Sequence, residues 1–139
     1  MKKLLLSAFV ATMLLCSGLL LACTPSDSSI DKSMRDAADE INAQCPMTID
    51  SETRLDNCMA LPGKIFQYNY TMVNYAYDQF DQSALAQVQE ETTPQMINFV
   101  KSSSDLKQLR DYEITFKFVI RSNDSYELMV ITITPQDYK

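Results

Sequence analysis

The sequence predicts an α+β domain in which two β-hairpins form an antiparallel sheet and helices pack on one face of that sheet. Apolar residues recur every three to four positions between Ile30 and Ile41, which is the period of an amphipathic helix. They alternate with polar residues in 66–72 and again in 114–120, which is typical of strands with one buried face. Each of these strands has a second strand across a turn, so the expected order is helix, hairpin, helices, hairpin.

The first 22 residues have the features of a cleaved secretory signal peptide. Lys2 and Lys3 provide a basic start, an apolar run follows, and the small residue Ala22 stands directly before Cys23. The apolar run is shorter than the roughly 20 residues that a membrane-spanning helix needs. We therefore expect cleavage before Cys23 and an oxidising destination outside the cytoplasm.

The segment Leu20–Cys23 resembles the lipobox of bacterial lipoproteins. This resemblance implies that Cys23 carries acyl chains such as palmitate, which together give stable membrane anchoring. It also implies a location in the cell envelope, and Thr24 implies sorting to the outer membrane of a Gram-negative cell, facing the periplasm or the cell surface. Residues 23–29 then form a short tether to a single domain of residues 30–139.

Proline and glycine set the ends of the first predicted elements. The first helix ends near Pro46, because the residue before a proline is disfavoured in the α region. The segment Leu61–Lys64 has proline and glycine where a type II turn requires them, between strands 53–60 and 65–75. These residues predict the first hairpin.

The second half of the chain predicts helices followed by the second hairpin. A helical stretch begins near Asp81, and Pro94 either breaks it or opens a second helix. A short helix extends to about Arg110. Polar residues at Ser122–Ser125 then form the turn between the strand at 114–120 and a last strand.

The acidic balance of the chain argues against nucleic acid as a partner. The chain has 18 acidic and 12 basic residues and a net charge of −6, which becomes about −8 once the two leader lysines are removed. A negative surface repels phosphate backbones and anionic lipid headgroups. We therefore expect no nucleic-acid binding, and we expect acyl chains rather than charge to hold the protein at a membrane.

The sequence contains no recognisable catalytic or metal-binding motif. It has no histidine, which removes the commonest general base and a common zinc ligand. We predict no catalytic residues, no metal and no cofactor. Clustered carboxylates such as Asp50 with Glu52 leave open a carboxylate pair of the kind that cleaves glycosidic bonds.

Cys45 and Cys58 are the cysteines that remain after Cys23, and we predict that they form a structural disulfide. Their spacing is not the C-x-x-C of redox motifs, and no histidine is present to complete a zinc site with them. A disulfide that closes a loop of this size stabilises a fold by about 3 kcal/mol in the chain-entropy treatment.

Arg54, Tyr68, Tyr70 and Tyr75 are candidate members of a binding surface. Arg54 lies between two aspartates, so it can either form an ion pair within the protein or recognise a carboxylate of a partner. The tyrosines can form an aromatic platform for a sugar or a peptide, or they can be ordinary strand residues. The sequence alone does not decide between these alternatives.

Several motifs carry a second resemblance. They are Pro46-Met47 followed by Asp50 and Thr53–Asp56, then Pro62-Gly63 and Tyr68–Thr71, then Pro94–Met96 with Asn98, and a tyrosine-rich strand pair. With these motifs, the chain from about Gln44 is similar to a small bacterial domain of uncharacterised function that occurs in secreted and membrane-associated proteins. The resemblance implies a location for the domain and supplies no activity.

These observations favour a non-enzymatic binding or accessory module that is lipid-anchored in the cell envelope and engages another envelope protein. A pilotin-like helper of a secretion machine and an exclusion factor against incoming phage or plasmid both fit this description. One alternative is a structural envelope lipoprotein that acts only through its location. Another is a histidine-free enzyme that acts on cell wall or glycan.

Overall fold

The structure is a computed structural model that describes residues 26–139. Its five strands are β1 (Met47–Thr48), β2 (Thr53–Leu61), β3 (Ile65–Met72), β4 (Thr115–Ser122) and β5 (Glu127–Ile133). Its helices are α1 (Asp27–Asn42), α2 (Gln82–Ser102), α3 (Lys107–Asp111) and α4 (Pro135–Tyr138), with a 3-10 turn at Tyr77–Gln79. The expected signal peptide, Cys23 and the first part of the expected tether lie outside the described residues.

The strands form one sheet in the order β1-β2-β3-β4-β5. The pairs β1–β2, β2–β3 and β4–β5 are antiparallel, whereas β3 and β4 are parallel. The predicted α+β class and both hairpins are confirmed, but the expectation of a wholly antiparallel sheet is corrected at its centre. The reason is that α2 and α3 carry the chain back across the sheet, so that β4 starts at the same end as β3.

Helix α1 packs along β2 through one apolar stripe. Ile30, Met34 and Ala38 are spaced four residues apart and are all buried. The helix begins at Asp27, three residues before the domain start expected from the sequence, because the carbonyl of Ser26 accepts bonds from the amides of Ser29 and Ile30. It is the element of the fold in which sequence pattern and burial agree most closely.

Helix α2 runs without interruption through Pro94, where the sequence predicts a break or a second helix start. Asp81 caps its beginning by accepting a bond from the amide of Ser83 at 2.9 Å. Only Leu85 and Val100 of its 21 residues are buried. A proline on an exposed helix is tolerated here because water can solvate the carbonyl that its missing N–H leaves unpaired.

The core lies between the helices and one face of the sheet. Its most deeply buried large side chains are Phe66, Phe116, Phe118, Met34, Ile114 and Ile133. Helix α4, which the sequence does not predict, covers the end of this core where β4 begins. Its Tyr138 hydroxyl donates to the carbonyl of Ile114 at 2.7 Å and so satisfies a buried backbone group.

Candidate functional site

Of the three tyrosines predicted to form a platform, Tyr68 and Tyr70 lie side by side on β3, whereas Tyr75 lies apart from them. Tyr68 is buried on the helix-covered face of the sheet and stacks on Phe118, with ring centroids 5.2 Å apart. Tyr70 is half-buried beside it, and burial raises the pKa of the Tyr70 hydroxyl to about 12. Tyr75 lies beyond the end of β3, where its hydroxyl donates to Glu52 at 2.8 Å.

Arg54 lies on the opposite face of the sheet and has a partner within the chain. Its Nε donates to Asp56 at 2.5 Å, and Asp56 also accepts from the hydroxyl of Thr71 at 2.5 Å. Asp50 does not contact Arg54 but instead accepts bonds from two backbone amides of its own turn, which lower its pKa. The ion-pair alternative therefore accounts for Arg54 without a ligand.

The same face carries an amide network that sequence reasoning missed. Asn69 donates to Asn57 at 2.8 Å and accepts from Gln67 at 2.8 Å and from Arg121 at 3.1 Å. No strand pattern signals such a network, because alternation shows only which residues share a face. Its members satisfy one another, so it stabilises the sheet and leaves Gln67 and Asn69 buried without a penalty.

The helix-covered side contains a groove between α1 and the segment formed by the end of α2 and α3. Its volume is about 450 Å³, and we call it the α1–α3 groove. Its apolar lining residues are Ala37, Ile41, Tyr68, Phe99, Leu106 and Leu109. Its polar lining residues are Ser33, Glu40, Gln44, Ser103, Asp105 and Gln108.

Burial divides these residues into a floor and a rim. The apolar residues other than Phe99 are buried or half-buried, whereas Glu40 and Asp105 are exposed. Phe99 is 50% exposed and stands beside this apolar floor. None of the lining residues is a lysine or an arginine. The groove thus combines an apolar floor with an acidic rim.

Local hydrogen bonds hold the α3 side of the groove in place. The guanidinium of Arg110 donates to the carbonyls of Val100 and Ser103, each at 2.6 Å. These bonds satisfy the last carbonyls of α2 and fix α3 against it. The sequence contains no local signal for the groove, because its residues come from separate parts of the chain that only the fold brings together.

Cys45 and Cys58 both occur as free thiols. Cys58 is buried in β2, and burial raises the pKa of its thiol to about 12, with a further contribution from nearby Cys45. Cys45 is half-buried beyond the end of α1, and burial raises its pKa as well. The structure therefore brings the two cysteines of the expected disulfide into one neighbourhood.

The described residues offer neither a metal centre nor a membrane span. Within residues 26–139, no group of three or more histidine, cysteine, aspartate or glutamate side chains is placed to hold a metal ion. None of the helices in this part of the chain is long and apolar enough to cross a bilayer.

Comparison with known proteins identifies a family and a shared fold. Residues 28–130 match a family described as a domain of unknown function, DUF8479. No curated protein matches the chain. A solved structure of a Pseudomonas aeruginosa protein described as secreted has the same fold at 11% identity and a TM-score of 0.69, covering 84% of this chain and 98% of that one.

Two solved pilotins of type II secretion systems also share the fold. The pilotin of Vibrio vulnificus is 9% identical with a TM-score of 0.59, and the match covers 81% of this chain and 94% of the pilotin. The pilotin of Vibrio cholerae is 10% identical with a TM-score of 0.56, and the match covers 79% and 93%. Identities this low establish a common architecture and leave the function to be argued from the site.

Proposed function

The chain belongs to the DUF8479 family, a domain of unknown function, and we propose that it is a lipid-anchored, non-enzymatic accessory protein of the cell envelope that binds a partner polypeptide in the α1–α3 groove. The groove carries this proposal, because an exposed Phe99 beside an apolar floor costs solubility unless a partner covers it. The architecture shared with two pilotins supports an accessory role over an enzymatic one.

The chemistry of the groove favours an amphipathic helix as its occupant. An apolar floor between two helical walls accepts the side chains that a third helix presents at positions i, i+3 or i+4, and i+7. Glu40 and Asp105 stand exposed among the lining residues. Lysine or arginine residues flanking the apolar stripe of the partner would complement these carboxylates and speed its approach.

The position of α1 is consistent with anchoring through Cys23. Because α1 begins at Asp27, acyl chains on Cys23 would hold the start of this helix close to a membrane surface. With a rise of 1.5 Å per residue, the groove residues of α1, Ser33 to Ile41, lie roughly 10 to 20 Å along the axis from that start. An anchored domain would therefore present the groove close to the bilayer.

Site-specific photo-crosslinking in cells tests the groove. A photoreactive phenylalanine analogue placed at Phe99 should give one discrete adduct, whose crosslinked peptide maps to an apolar and basic helix of an envelope protein. The matched control is the same analogue at Val88, which is also on α2 and 44% exposed but lies outside the groove. Adducts of equal yield at both positions would contradict the proposal.

Charge reversal sharpens this experiment. Glu40→Lys together with Asp105→Lys should reduce the adduct at position 99 at least tenfold, because cations on the partner would then face cations on the rim. Glu90→Lys with Glu91→Lys makes the same change in charge on the exposed face of α2 and should leave the adduct intact. An adduct that persists in the rim variant argues against a basic helix.

Membrane anchoring has its own test. Cys23→Ser in the full chain should move the protein from the membrane pellet to the soluble envelope fraction when cells are fractionated without detergent, since the acylated residue is lost. Mass spectrometry of the wild-type N-terminus should show the acyl chains. Unchanged fractionation of the variant would contradict lipid anchoring without bearing on the groove.

A further inference from the structure

The end of α1 is fastened to the centre of β2 by a single side chain. The amide of Asn42 donates from Nδ2 to the carbonyl of Cys58 at 2.9 Å, and its Oδ1 accepts from the Cys58 amide at 2.7 Å. The backbone N–H and C=O of Cys58 are thereby both hydrogen-bonded. Strand β1 cannot supply these bonds, because it is only two residues long and its pairing with β2 does not extend to Cys58. The last residue of α1 is thus clamped to Cys58.

Cys45 follows this clamp by three residues. Its amide donates to the carbonyl of Asn42 at 3.2 Å, so the chain turns tightly back toward the clamped peptide. Two residues later, Met47 pairs with Leu55 and returns the chain alongside β2. Cys45 and Cys58 both pack at the apolar core beneath the end of α1. The chain is therefore held near Cys58 on both sides of Cys45, before it by the Asn42 clamp and after it by the pairing of β1 with β2.

We propose that Cys45 and Cys58 are the site of an intramolecular disulfide that staples the end of α1 to β2. The two thiols together lose two protons and two electrons as the S–S bond forms. The electrons reduce a disulfide-bearing oxidant to two thiols by thiol–disulfide exchange. Such oxidants are characteristic of the envelope and extracellular compartments.

Burial sets the order of the two exchange steps. Cys45 is half-buried and reachable, so its thiolate attacks the oxidant first, breaks the S–S bond of the oxidant, forms a mixed disulfide and releases the first thiol. Cys58 is buried and cannot meet a bulky oxidant, but it belongs to the core cluster against which Cys45 packs, so it attacks the Cys45 sulfur and expels the second thiol of the oxidant. The structure thus assigns Cys45 as the entry point and Cys58 as the resolving residue.

The disulfide would also fix one wall of the α1–α3 groove. Glu40, Ile41 and Gln44 line the groove at the end of α1 that the bond would hold. This consequence rests on the proposed function, whereas the bond itself does not. Peptide mapping tests the bond, and the photo-crosslink at Phe99 tests the groove, so either can fail alone.

Tryptic peptide mapping of the full chain decides the matter. Cleavage after Arg35, Arg54 and Lys64 places the two cysteines in separate peptides, 36–54 and 55–64. Protein isolated from the cell envelope is alkylated under denaturing conditions without reductant and then digested. We expect one joined species that reductant splits into its two peptides. Both peptides in alkylated form would overturn the proposal.

Two single variants test the assigned order. With glutathione disulfide, the Cys58→Ala chain should form a mixed disulfide at Cys45, whereas the folded Cys45→Ala chain should leave Cys58 at least tenfold less modified. Equal modification would overturn the order of attack. Reductant should lower the melting temperature of the wild type by roughly 10 °C and leave Cys45→Ala unchanged. A wild type that is insensitive to reductant would speak against the bond.

Discussion

Helices α1 and α2 pack on the same face of one sheet but are held to it very differently. α1 has 16 residues, and three of them are buried in the core in a regular stripe. α2 has 21 residues but buries only Leu85 and Val100, while Val88 and Phe99 stay about half exposed. Length therefore does not indicate which helix stabilises the fold: α1 belongs to the core, and α2 is chiefly the connection that makes β3 and β4 parallel.

The space beneath α2 reinforces this contrast. Between the first half of α2 and the sheet lies a cavity of about 250 Å³. Its lining is mostly apolar and includes Met72, Phe80, Leu85, Val88, Ile120, Leu128 and Met129. A helix that spans such a gap loses the close contacts that hold α1. Stability should therefore be unevenly distributed between the two helices.

Truncation of one methionine on each helix should give the largest difference. Met34→Ala in α1 removes a side chain that is only 1% exposed and should lower the free energy of unfolding by about 3 kcal/mol through lost burial and a new cavity. Met96→Ala in α2 removes a half-buried side chain and should cost about 1 kcal/mol or less. Urea denaturation measures both, and equal losses would break the comparison.

The Asn42 clamp should give the next largest effect. Asn42→Ala leaves the Cys58 amide and carbonyl without their partners, so we expect a loss of about 2 kcal/mol. Asn98→Ala changes the same residue type on the exposed side of α2 and should be close to neutral. Both values come from denaturation in the presence of reductant, which separates the clamp from any disulfide. A neutral Asn42→Ala would show that water replaces the clamp.

The same contrast explains how much the sequence predicts. The stripe at Ile30, Met34 and Ala38 is complete because burial selects it, and so the sequence predicts α1 with each end within three or four residues of its observed limit. The exposed α2 buries only two residues, so Pro94 is the strongest local signal, and it predicts a break or a second helix start that the structure does not have. The helix continues through Pro94 despite the preference of proline to break helices, because the turn around Pro94 is exposed and no buried contact depends on its geometry.

Sequence patterns also could not reveal direction or distant neighbours. Alternation in 66–72 and 114–120 shows which face of each strand is apolar, but it is the same for parallel and antiparallel pairing. The groove combines Ala37, Tyr68 and Phe99, which are far apart in the chain. The sequence singles out Arg54 by the aspartates on either side of it and the tyrosines by chemical type alone, and the fold places Tyr68 mainly inside the core.

Alkaline pH should destabilise the fold through the half-buried Tyr70, which packs against the same core as α1. Burial raises the pKa of Tyr70 to about 12, above the value of about 10 in an unfolded chain. A raised native pKa means that the stabilisation is complete below pH 10 and is lost as pH rises toward 12. The melting temperature of the wild type should therefore fall as the pH rises across this window. Tyr70→Phe, which cannot ionise, should fall less steeply, and parallel curves would contradict this assignment.

The smallest expected effect on the stability of the whole domain comes from a substitution in α2. Pro94→Ala restores an N–H inside the helix, which favours it intrinsically by up to about 3 kcal/mol. If α2 opens independently of the core, this gain appears as slower hydrogen exchange of α2 amides, while the urea midpoint of the whole domain moves little. Gln95→Ala, at the adjacent exposed position of the same helix, serves as the control for helix propensity. If the urea midpoint of the whole domain shifts by the full intrinsic gain, α2 must instead unfold together with α1. The small number of buried side chains on α2 would then underestimate its contribution to the cooperative unfolding of the core.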